Sequence, residues 1–318
     1  MSQETKIPFF RNFSPSMNLL TVFSLIFLGY VFATFFVFLL ARPFWGINIF
    51  ENQDALNDIT NESILTLHRL IMIISVIFVF ITPATVFRKF IEFEGQDYLL
   101  VRKKPSLKLL GITLLLFLIC FPVSNFLFYL NNLVDFSSIA KESGDAIRAA
   151  EEENATFTKA ILYTDTFSTY LINVVAIALL TAIGEEFVFR GIFQRLLIKM
   201  TRNVHVAVFF GAVLFSIMHF SYYGFLPRLF MGLILGYIYL STANIWYCIL
   251  FHFLNNAFAI TFAWLMSKGY DLSFFDVLGS GDVDRWFGLG ILLVLLLFGI
   301  TQLKRLIRKD LVEEMKEY

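Results

Sequence analysis

Two glutamates and an arginine interrupt an otherwise apolar part of the sequence. Glu185 and Glu186 lie within LTAIGEEFVFRGIF, and Arg190 follows four residues after Glu186. In hydrocarbon a charged side chain costs from about 2.5 kcal/mol on insertion scales to more than ~10 kcal/mol in simulations, so such residues mark ion pathways or chemistry. The spacing favours an ion pair between Glu186 and Arg190. Glu185 lies about 100° around the helix, gains no partner from local spacing, and is our candidate general base.

Histidine and asparagine supply further polar groups in apolar segments. His219 ends the run AVFFGAVLFSIMHF, and His252 precedes Asn256 by four residues in ILFHFLNNAF. One carboxylate and one imidazole can position and deprotonate a water, while a second imidazole and an amide can donate hydrogen bonds to an oxyanion. This set suits peptide hydrolysis without a covalent intermediate. Glu185, His219 and His252 could equally bind Zn²⁺ with an open fourth position, although the sequence has no HExxH motif.

Three ordered motifs resemble those of a known family. EEFVFRG from Glu185, FSIMH ending at His219 and HFLNN from His252 are similar to the EExxxR, FxxxH and HxxxN motifs of the CAAX-protease and bacteriocin-processing (CPBP, or Abi) family of intramembrane proteases. The resemblance covers about residues 168–266. It implies that Glu185 and His219 activate water and that His252 and Asn256 form the oxyanion site.

The resemblance also bears on the supporting residues and on cofactors. Glu186 and Arg190 match conserved motif positions of the family, and we assign them a supporting role through their ion pair. By the same resemblance we prefer a mechanism that requires no cofactor. A zinc enzyme, with Glu185, His219 and His252 as ligands, is the alternative.

Distances along the chain predict how these residues meet. Glu185 and His219 each lie 17 residues from Arg202, where the chain turns back, so two antiparallel helices would place them at a similar depth. His252 lies about nine residues beyond the turn near Ala243, which leaves it about 8 Å off that level. A tilted or broken helix would correct the difference. Residues able to supply the break are Gly224, Pro227, Gly232 and Gly236.

The composition of the whole chain indicates an integral membrane protein. Its 318 residues are 58% hydrophobic and 18% aromatic, and the mean hydropathy is +0.73. A helix needs about 20 predominantly apolar residues to cross a bilayer. We therefore predict an all-α, polytopic membrane bundle of about eight transmembrane helices, over 17–41, 64–87, 107–130, 168–198, 204–220, 228–243, 245–266 and 287–303. The 25 basic and 25 acidic residues cancel, so nothing indicates a nucleic-acid partner.

We divide the chain into three parts. Residues 1–166 hold the first three membrane helices and an acidic outer loop, 167–267 hold helices four to seven with the motifs, and 268–318 hold the last helix and a basic tail. Sixteen Lys and Arg residues lie in the connections and tails of one side, so both termini are predicted to be cytoplasmic. We expect an uncleaved first span, and the inner membrane of a bacterium as the location.

The remaining polar residues receive simpler interpretations. The acidic stretch of the outer loop, about 131–165, is expected to be a solvated face that either forms a surface helix or stays mobile. His68, Arg69 and His205 are expected at membrane interfaces. Cys120 and Cys248 are expected to be buried thiols rather than a disulfide.

Three functions are consistent with these features. We prefer an endopeptidase that cleaves a membrane-associated polypeptide, either prenylated or a bacteriocin-like precursor. The alternative is a non-catalytic partner-binding or bacteriocin-immunity protein on the same scaffold, which need not retain Glu185, His219, His252 and Asn256 together. A proton-coupled transporter would use a buried glutamate as carrier. The lack of visible repeats disfavours that third function.

Overall fold

The chain folds into a bundle of helices. The computed structural model describes residues 8–48, 51, 53–134, 141–272 and 312–313. Within these ranges there is no strand, which confirms the predicted all-α class. The main helices are α1 (Pro15–Trp45), α2 (Glu62–Ile91), α3 (Leu107–Asn132), α4 (Lys141–Leu162), α5 (Phe167–Thr201), α6 (Val204–Ile217), α7 (Phe225–Thr242) and α8 (Ile245–Ser267).

Seven of these helices coincide with predicted spans. Six are long and apolar enough to cross a membrane, and α6 is shorter. The eighth predicted span, 287–303, lies outside the described residues. The predicted outer loop contains α4, so of its two expected forms the helix is the one observed.

Tight turns join the helices that carry the motifs. Arg202 and Ala243 adopt left-handed conformations, with φ of 54° and 49°, and end α5 and α7. The next residues, Asn203 and Asn244, accept hydrogen bonds from the first backbone N–H groups of α6 and α8. Such caps satisfy donors that the helix itself leaves unpaired. The motif helices therefore form two short-looped hairpins, α5–α6 and α7–α8.

The helix with the two glutamates is not uniform. Two π-helical segments, Val174–Leu180 and Phe189–Gln194, flank the α-helical stretch Thr181–Val188. Segments of this kind are frequent at functional sites. At Gly184, a Cβ would lie 2.9 Å from the Cβ of Phe80 on α2. The missing side chain therefore lets α5 approach α2 closely at the residue before Glu185.

Helix α7 packs against α5 and α6 without interruption. Arg190 Nη2 donates to Gly232 O at 3.4 Å and Gln194 Nε2 donates to Gly236 O at 3.1 Å, so α5 and α7 run parallel. A Cβ at Gly232 would lie 2.8 Å from the Cβ of Ala212 on α6. The expectation that these glycines break α7 is wrong, because they serve instead as points of close helix approach.

The α7–α8 turn lies deeper in the bundle than the α5–α6 turn. Ile245, the first residue of α8, packs beside Gly191, where a Cβ would lie 3.6 Å from its Cδ1. Gly191 precedes Arg202 by eleven residues, or about 16 Å of helix. The connection between α2 and α3 fills the space below and hydrogen-bonds to the start of α8. Because the α7–α8 turn lies deeper in the bundle, His252 is level with the two glutamates. No broken helix is needed.

Arg69 lies buried where α2, α4 and α5 meet. Its exposed fraction is 3%. Its guanidinium donates to Asn173 Oδ1 on α5 at 3.0 Å and to Ile161 O on α4 at 3.0 Å, and it pairs with Glu62 at 2.7 Å. The arginine therefore fixes the end of α4 to the membrane helices.

Candidate active site

Three predicted site residues converge in the bundle. Glu185 Oε2 lies 3.9 Å from His219 Nε2 and 3.8 Å from His252 Nε2. Glu185 lies on the α-helical stretch of α5, His252 on α8, and His219 just beyond the early end of α6. Because α6 stops after Ile217, His219 leaves the helix at the depth of the carboxylate. The predicted common level of Glu185 and His219 is therefore observed.

Hydrogen bonds at the far side of each imidazole fix its orientation. His219 Nδ1 lies 2.8 Å from Phe215 O, and His252 Nδ1 lies 2.8 Å from Glu186 Oε1. A carbonyl or carboxylate oxygen can only accept, so each Nδ1 carries a proton. Each Nε2 facing Glu185 is then an acceptor in the neutral ring and a donor only in the imidazolium form.

The carboxylate of Glu186 contacts both Arg190 and His252. Its Oε1 accepts from Arg190 Nη1 at 3.0 Å as well as pairing with His252. Glu186 is 0% exposed, and Arg190 and His252 are each 2% exposed. The Arg190 guanidinium also lies over the ring of Phe215, 4.7 Å from its centroid. The predicted i,i+4 ion pair is thus present, and sequence spacing gave no sign of its bond to His252.

Asn256 is placed differently from the other predicted site residues. In the part of the chain that the structure describes, it forms no hydrogen bond to any of them. Asn255 Nδ2 donates to Asn256 Oδ1 at 3.2 Å, which leaves both N–H groups of the Asn256 amide for other partners. Asn255 itself lines a small apolar recess between α3, α7 and α8, beside Phe251.

Glu185, His219 and His252 carry the kinds of donor atom that bind zinc in proteins. Ligand atoms around a tetrahedral Zn²⁺ lie roughly 3.4 Å apart, given bonds of about 2.1 Å. The separations of 3.8 and 3.9 Å from Glu185 Oε2 are wider, and the described residues contain no group of three that meets metal-binding geometry. The anchored Nδ1 atoms are nevertheless typical of metal-ligating histidines. The donor types of the three side chains therefore suit zinc, and their separations are about 0.4–0.5 Å wider than those of a tetrahedral site.

Comparison with known proteins agrees with the motifs. Residues 167–258 match the family of Rce1-like type II CAAX prenyl endopeptidases. The family resemblance is confirmed. The match covers less than a third of the chain and includes all six predicted site residues. No curated protein and no solved structure matches the chain.

Two charged residues near the matched segment were missed by sequence reasoning. Glu151 on α4, outside the matched residues, accepts from Ser221 Oγ at 3.1 Å and from the backbone N–H of Tyr222, just after His219. The solvated face expected there is therefore wrong for this residue. Arg228, at the start of α7, is close enough to interact electrostatically with Glu185. Sequence gave no signal for either residue, because each acts across helices distant in the chain.

Proposed function

We propose that this protein is an intramembrane endopeptidase that hydrolyses a peptide bond of a membrane-associated or prenylated polypeptide. The observation that carries the proposal is the convergence of Glu185 Oε2 with Nε2 of both His219 and His252. The family match supports a peptidase. The buried setting supports it further, because a carboxylate is seldom retained in hydrocarbon without a functional reason.

Glu185 is the proposed general base. Its Oε2 is buried and accepts no hydrogen bond from the described residues, so it can accept one from a water. His219 Nε2, an acceptor in the neutral ring, would hold the second hydrogen of that water. The water oxygen attacks the carbonyl carbon as its proton passes to Glu185. Protonated Glu185 then delivers this proton to the amine nitrogen as the C–N bond breaks.

His252 and Asn256 are the proposed oxyanion donors. Asn256 offers its free amide N–H groups, and His252 can donate through Nε2 only when doubly protonated. Glu186 Oε1 lies 2.8 Å from His252 Nδ1, and this bond holds the ring with Nε2 toward Glu185. In this proposal Glu186 does more than pair with Arg190, because it also orients an oxyanion donor.

The test of this proposal replaces one carboxylate oxygen of Glu185 by an amide nitrogen. Glu185→Gln is nearly isosteric but cannot take a proton, so purified variant protein should lose nearly all turnover on a farnesylated peptide ending in a C-a-a-X motif. Its thermal unfolding in detergent should match that of the wild type. Equal turnover of the two proteins would refute the assignment of Glu185.

Our preferred mechanism needs no metal, and this is tested separately. Metal analysis of active protein is combined with chelator treatment and zinc add-back. We expect activity to survive chelation. Stoichiometric zinc, whose removal abolishes turnover and whose return restores it, would assign Glu185, His219 and His252 as its ligands.

A further inference from the structure

The segment that carries His219 lies outside the helices. Helix α6 ends at Ile217 and α7 begins at Phe225, so residues 218–224, which we call the His219 segment, connect the two. The bond between His219 Nδ1 and Phe215 O ties the imidazole to α6. The position of the ring also depends on what holds the backbone after it.

Phe220, the residue after His219, has a strained backbone. Its φ of 48° lies in the left-handed region, which a phenylalanine rarely adopts. The residue is 85% exposed, so packing of its ring does not hold this conformation. Backbone strain of this kind persists only where the surrounding structure imposes it. The contacts that impose it must therefore come from the chain on either side of Phe220.

The carboxylate of Glu151, on α4, makes three contacts to the residues directly after Phe220. Its Oε2 accepts from Ser221 Oγ at 3.1 Å. Its Oε1 accepts from the backbone N–H of Tyr222 and, at 3.4 Å, from that of Tyr223. Hydrogen bonds to an ionised carboxylate are stronger than those between neutral groups. One side chain thus holds three consecutive residues of the His219 segment.

A buried amide on α3 holds the same segment. Asn131 is 2% exposed. Its Nδ2 donates to Tyr222 O at 2.9 Å, and its Oδ1 accepts from the backbone N–H of Leu226 at 3.1 Å. The backbone of Tyr222 is therefore bonded through both its N–H and its C=O, to Glu151 and to Asn131. The left-handed turn at Phe220 lies between this fixed point and the end of α6.

Helix α4 is itself anchored to the bundle. Ile161 O, near its C-terminal end, accepts from Arg69 Nη2 at 3.0 Å and from Asn173 Nδ2 at 2.9 Å. Ile161 follows Glu151 by ten residues, or about 15 Å of helix. Helix α4 therefore connects the buried Arg69 to the His219 segment, and it can hold Glu151 in a defined place.

We propose that Glu151 is a positioning residue, which holds the His219 segment so that His219 Nε2 faces Glu185. This inference rests on the proposed endopeptidase function. His219 Nε2 lies 3.9 Å from Glu185 Oε2, and the proposed mechanism has both side chains hold one water. A displacement of the imidazole by about 1 Å would therefore lower turnover strongly. Glu151 contacts neither the water nor the peptide in this proposal and acts through the backbone.

Turnover of a farnesylated C-a-a-X peptide by three variants tests this role. Glu151→Ala should lower kcat by roughly 10- to 100-fold with little change in KM, as expected when a reacting group is misplaced. Glu151→Gln keeps an oxygen that can accept from the backbone N–H groups, and it should retain most of kcat. Glu153→Ala removes an exposed glutamate from the same helix and should behave as wild type.

Two kinetic results would overturn the inference. One is a kcat for Glu151→Ala equal to that of the wild type. The other is an equally large fall for Glu151→Gln and Glu151→Ala, because the effect would then come from the negative charge rather than from the hydrogen bonds to the segment.

A second substitution distinguishes positioning through the backbone from a general loss of stability. Asparagine adopts the left-handed region more readily than phenylalanine, so Phe220→Asn should preserve the turn with less help from Glu151. The fall in kcat caused by Glu151→Ala should shrink to about fivefold or less when Phe220→Asn is already present. The same fall in both backgrounds would contradict positioning through the turn at Phe220.

Amide hydrogen exchange separates this inference from the proposed function, because it requires no turnover. Exchange of residues 218–224 in detergent should be faster in Glu151→Ala than in the wild type or in Glu153→Ala, with exchange in α8 unchanged. A wild type that cleaves no peptide contradicts the endopeptidase, whereas faster exchange would still support the hold of Glu151 on the His219 segment. An active wild type whose exchange is unaltered by Glu151→Ala supports the endopeptidase and contradicts the positioning role.

Discussion

Glu186 illustrates how much one buried oxygen can organise. Its Oε1 meets both Arg190 and His252 at hydrogen-bonding distance, with all three side chains nearly inaccessible. A buried charge left without its partner costs far more than the intact pair contributes. Glu186 therefore contributes to stability and to the orientation of His252, while Glu185 Oε2 accepts no hydrogen bond from the described residues.

Glu186→Gln should accordingly damage both fold and chemistry. The variant leaves Arg190 unpaired in a dry environment, and we expect a loss of about 3–5 kcal/mol in unfolding free energy. His252 would also lose the carboxylate that orients its ring, which lowers turnover of the protein that remains folded. Thermal unfolding in detergent and kcat of the folded fraction measure the two effects. A variant as stable as Glu185→Gln would contradict this role for Glu186.

Asn256→Ala should affect turnover far more than stability. An oxyanion donor acts after attack, when negative charge has developed, so we expect kcat to fall by roughly 10²–10³ with little change in KM. Stability should stay within about 1 kcal/mol, the size of one interhelical hydrogen bond. Steady-state kinetics and thermal unfolding in detergent provide the comparison.

Asn255→Ala is the companion variant, although it is not inert. Its amide donates to Asn256 Oδ1, so its removal frees the Asn256 amide to rotate. We expect a fall in kcat of only about fivefold, in line with one hydrogen bond of roughly 1 kcal/mol. If Asn255→Ala proved the more damaging of the two, the HxxxN assignment starting at His252 would be wrong.

The sequence identified these residues better than it identified their contacts. The i,i+4 pair of Glu186 and Arg190 follows from helix geometry alone. The bond between Glu186 and His252 joins residues 66 apart in the chain, and it depends on how α8 packs against α5. Arg69 shows the same limit, because its partners on α4 and α5 cannot be read from its position near a helix end.

At the scale of helices, the α-helical stretch Thr181–Val188, which carries Glu185, is positioned by its close approach to α2. Gly184→Ala would put a Cβ 2.9 Å from the Cβ of Phe80 and 3.1 Å from Val76 Cγ1. Overpacking of this kind typically costs 1–3 kcal/mol, and here it also displaces the next residue, Glu185. We expect lower stability and reduced kcat, measured by thermal unfolding in detergent and by peptide turnover.

A second glycine provides the control for that substitution. Gly111 lies on α3 with nothing within 4 Å of the position of a Cβ. Gly111→Ala should therefore leave kcat unchanged and should not lower stability. If both substitutions gave the same phenotype, the contact between α2 and α5 would not be what positions Glu185.

Helix boundaries were predictable, whereas the depth of α8 in the bundle was not. Predicted spans such as 107–130 and 245–266 lie within α3 and α8, because apolar length marks a span. The π-helical segments of α5 and the inset turn at Ala243 leave no comparable pattern in hydropathy. The depth of the α7–α8 turn depends on which part of the chain packs beneath it. Here that part is the connection between α2 and α3.

At the scale of the whole molecule, the distribution of Lys and Arg predicts the orientation in the membrane. Lys104, between α2 and α3, and Glu153, on α4, are both exposed and should lie on opposite sides. We expect Lys104→Cys to react with a membrane-impermeant maleimide only after permeabilisation, and Glu153→Cys to react in intact cells. The native Cys120 and Cys248 are buried free thiols, so background labelling should be low. The reverse pattern would invert the predicted topology.

The π-helical segments also constrain which changes in chain length this molecule can tolerate. A π-helical turn accommodates one residue more than an α-helical turn. Deleting one of residues 191–193, within the segment Phe189–Gln194, would shorten the four-residue spacing with which Arg190 and Gln194 bond to Gly232 O and Gly236 O of α7. Insertions near the exposed end of α4 would rotate nothing in the bundle. Proteins derived from this sequence should therefore lack insertions and deletions in α5, even at positions where substitutions are tolerated.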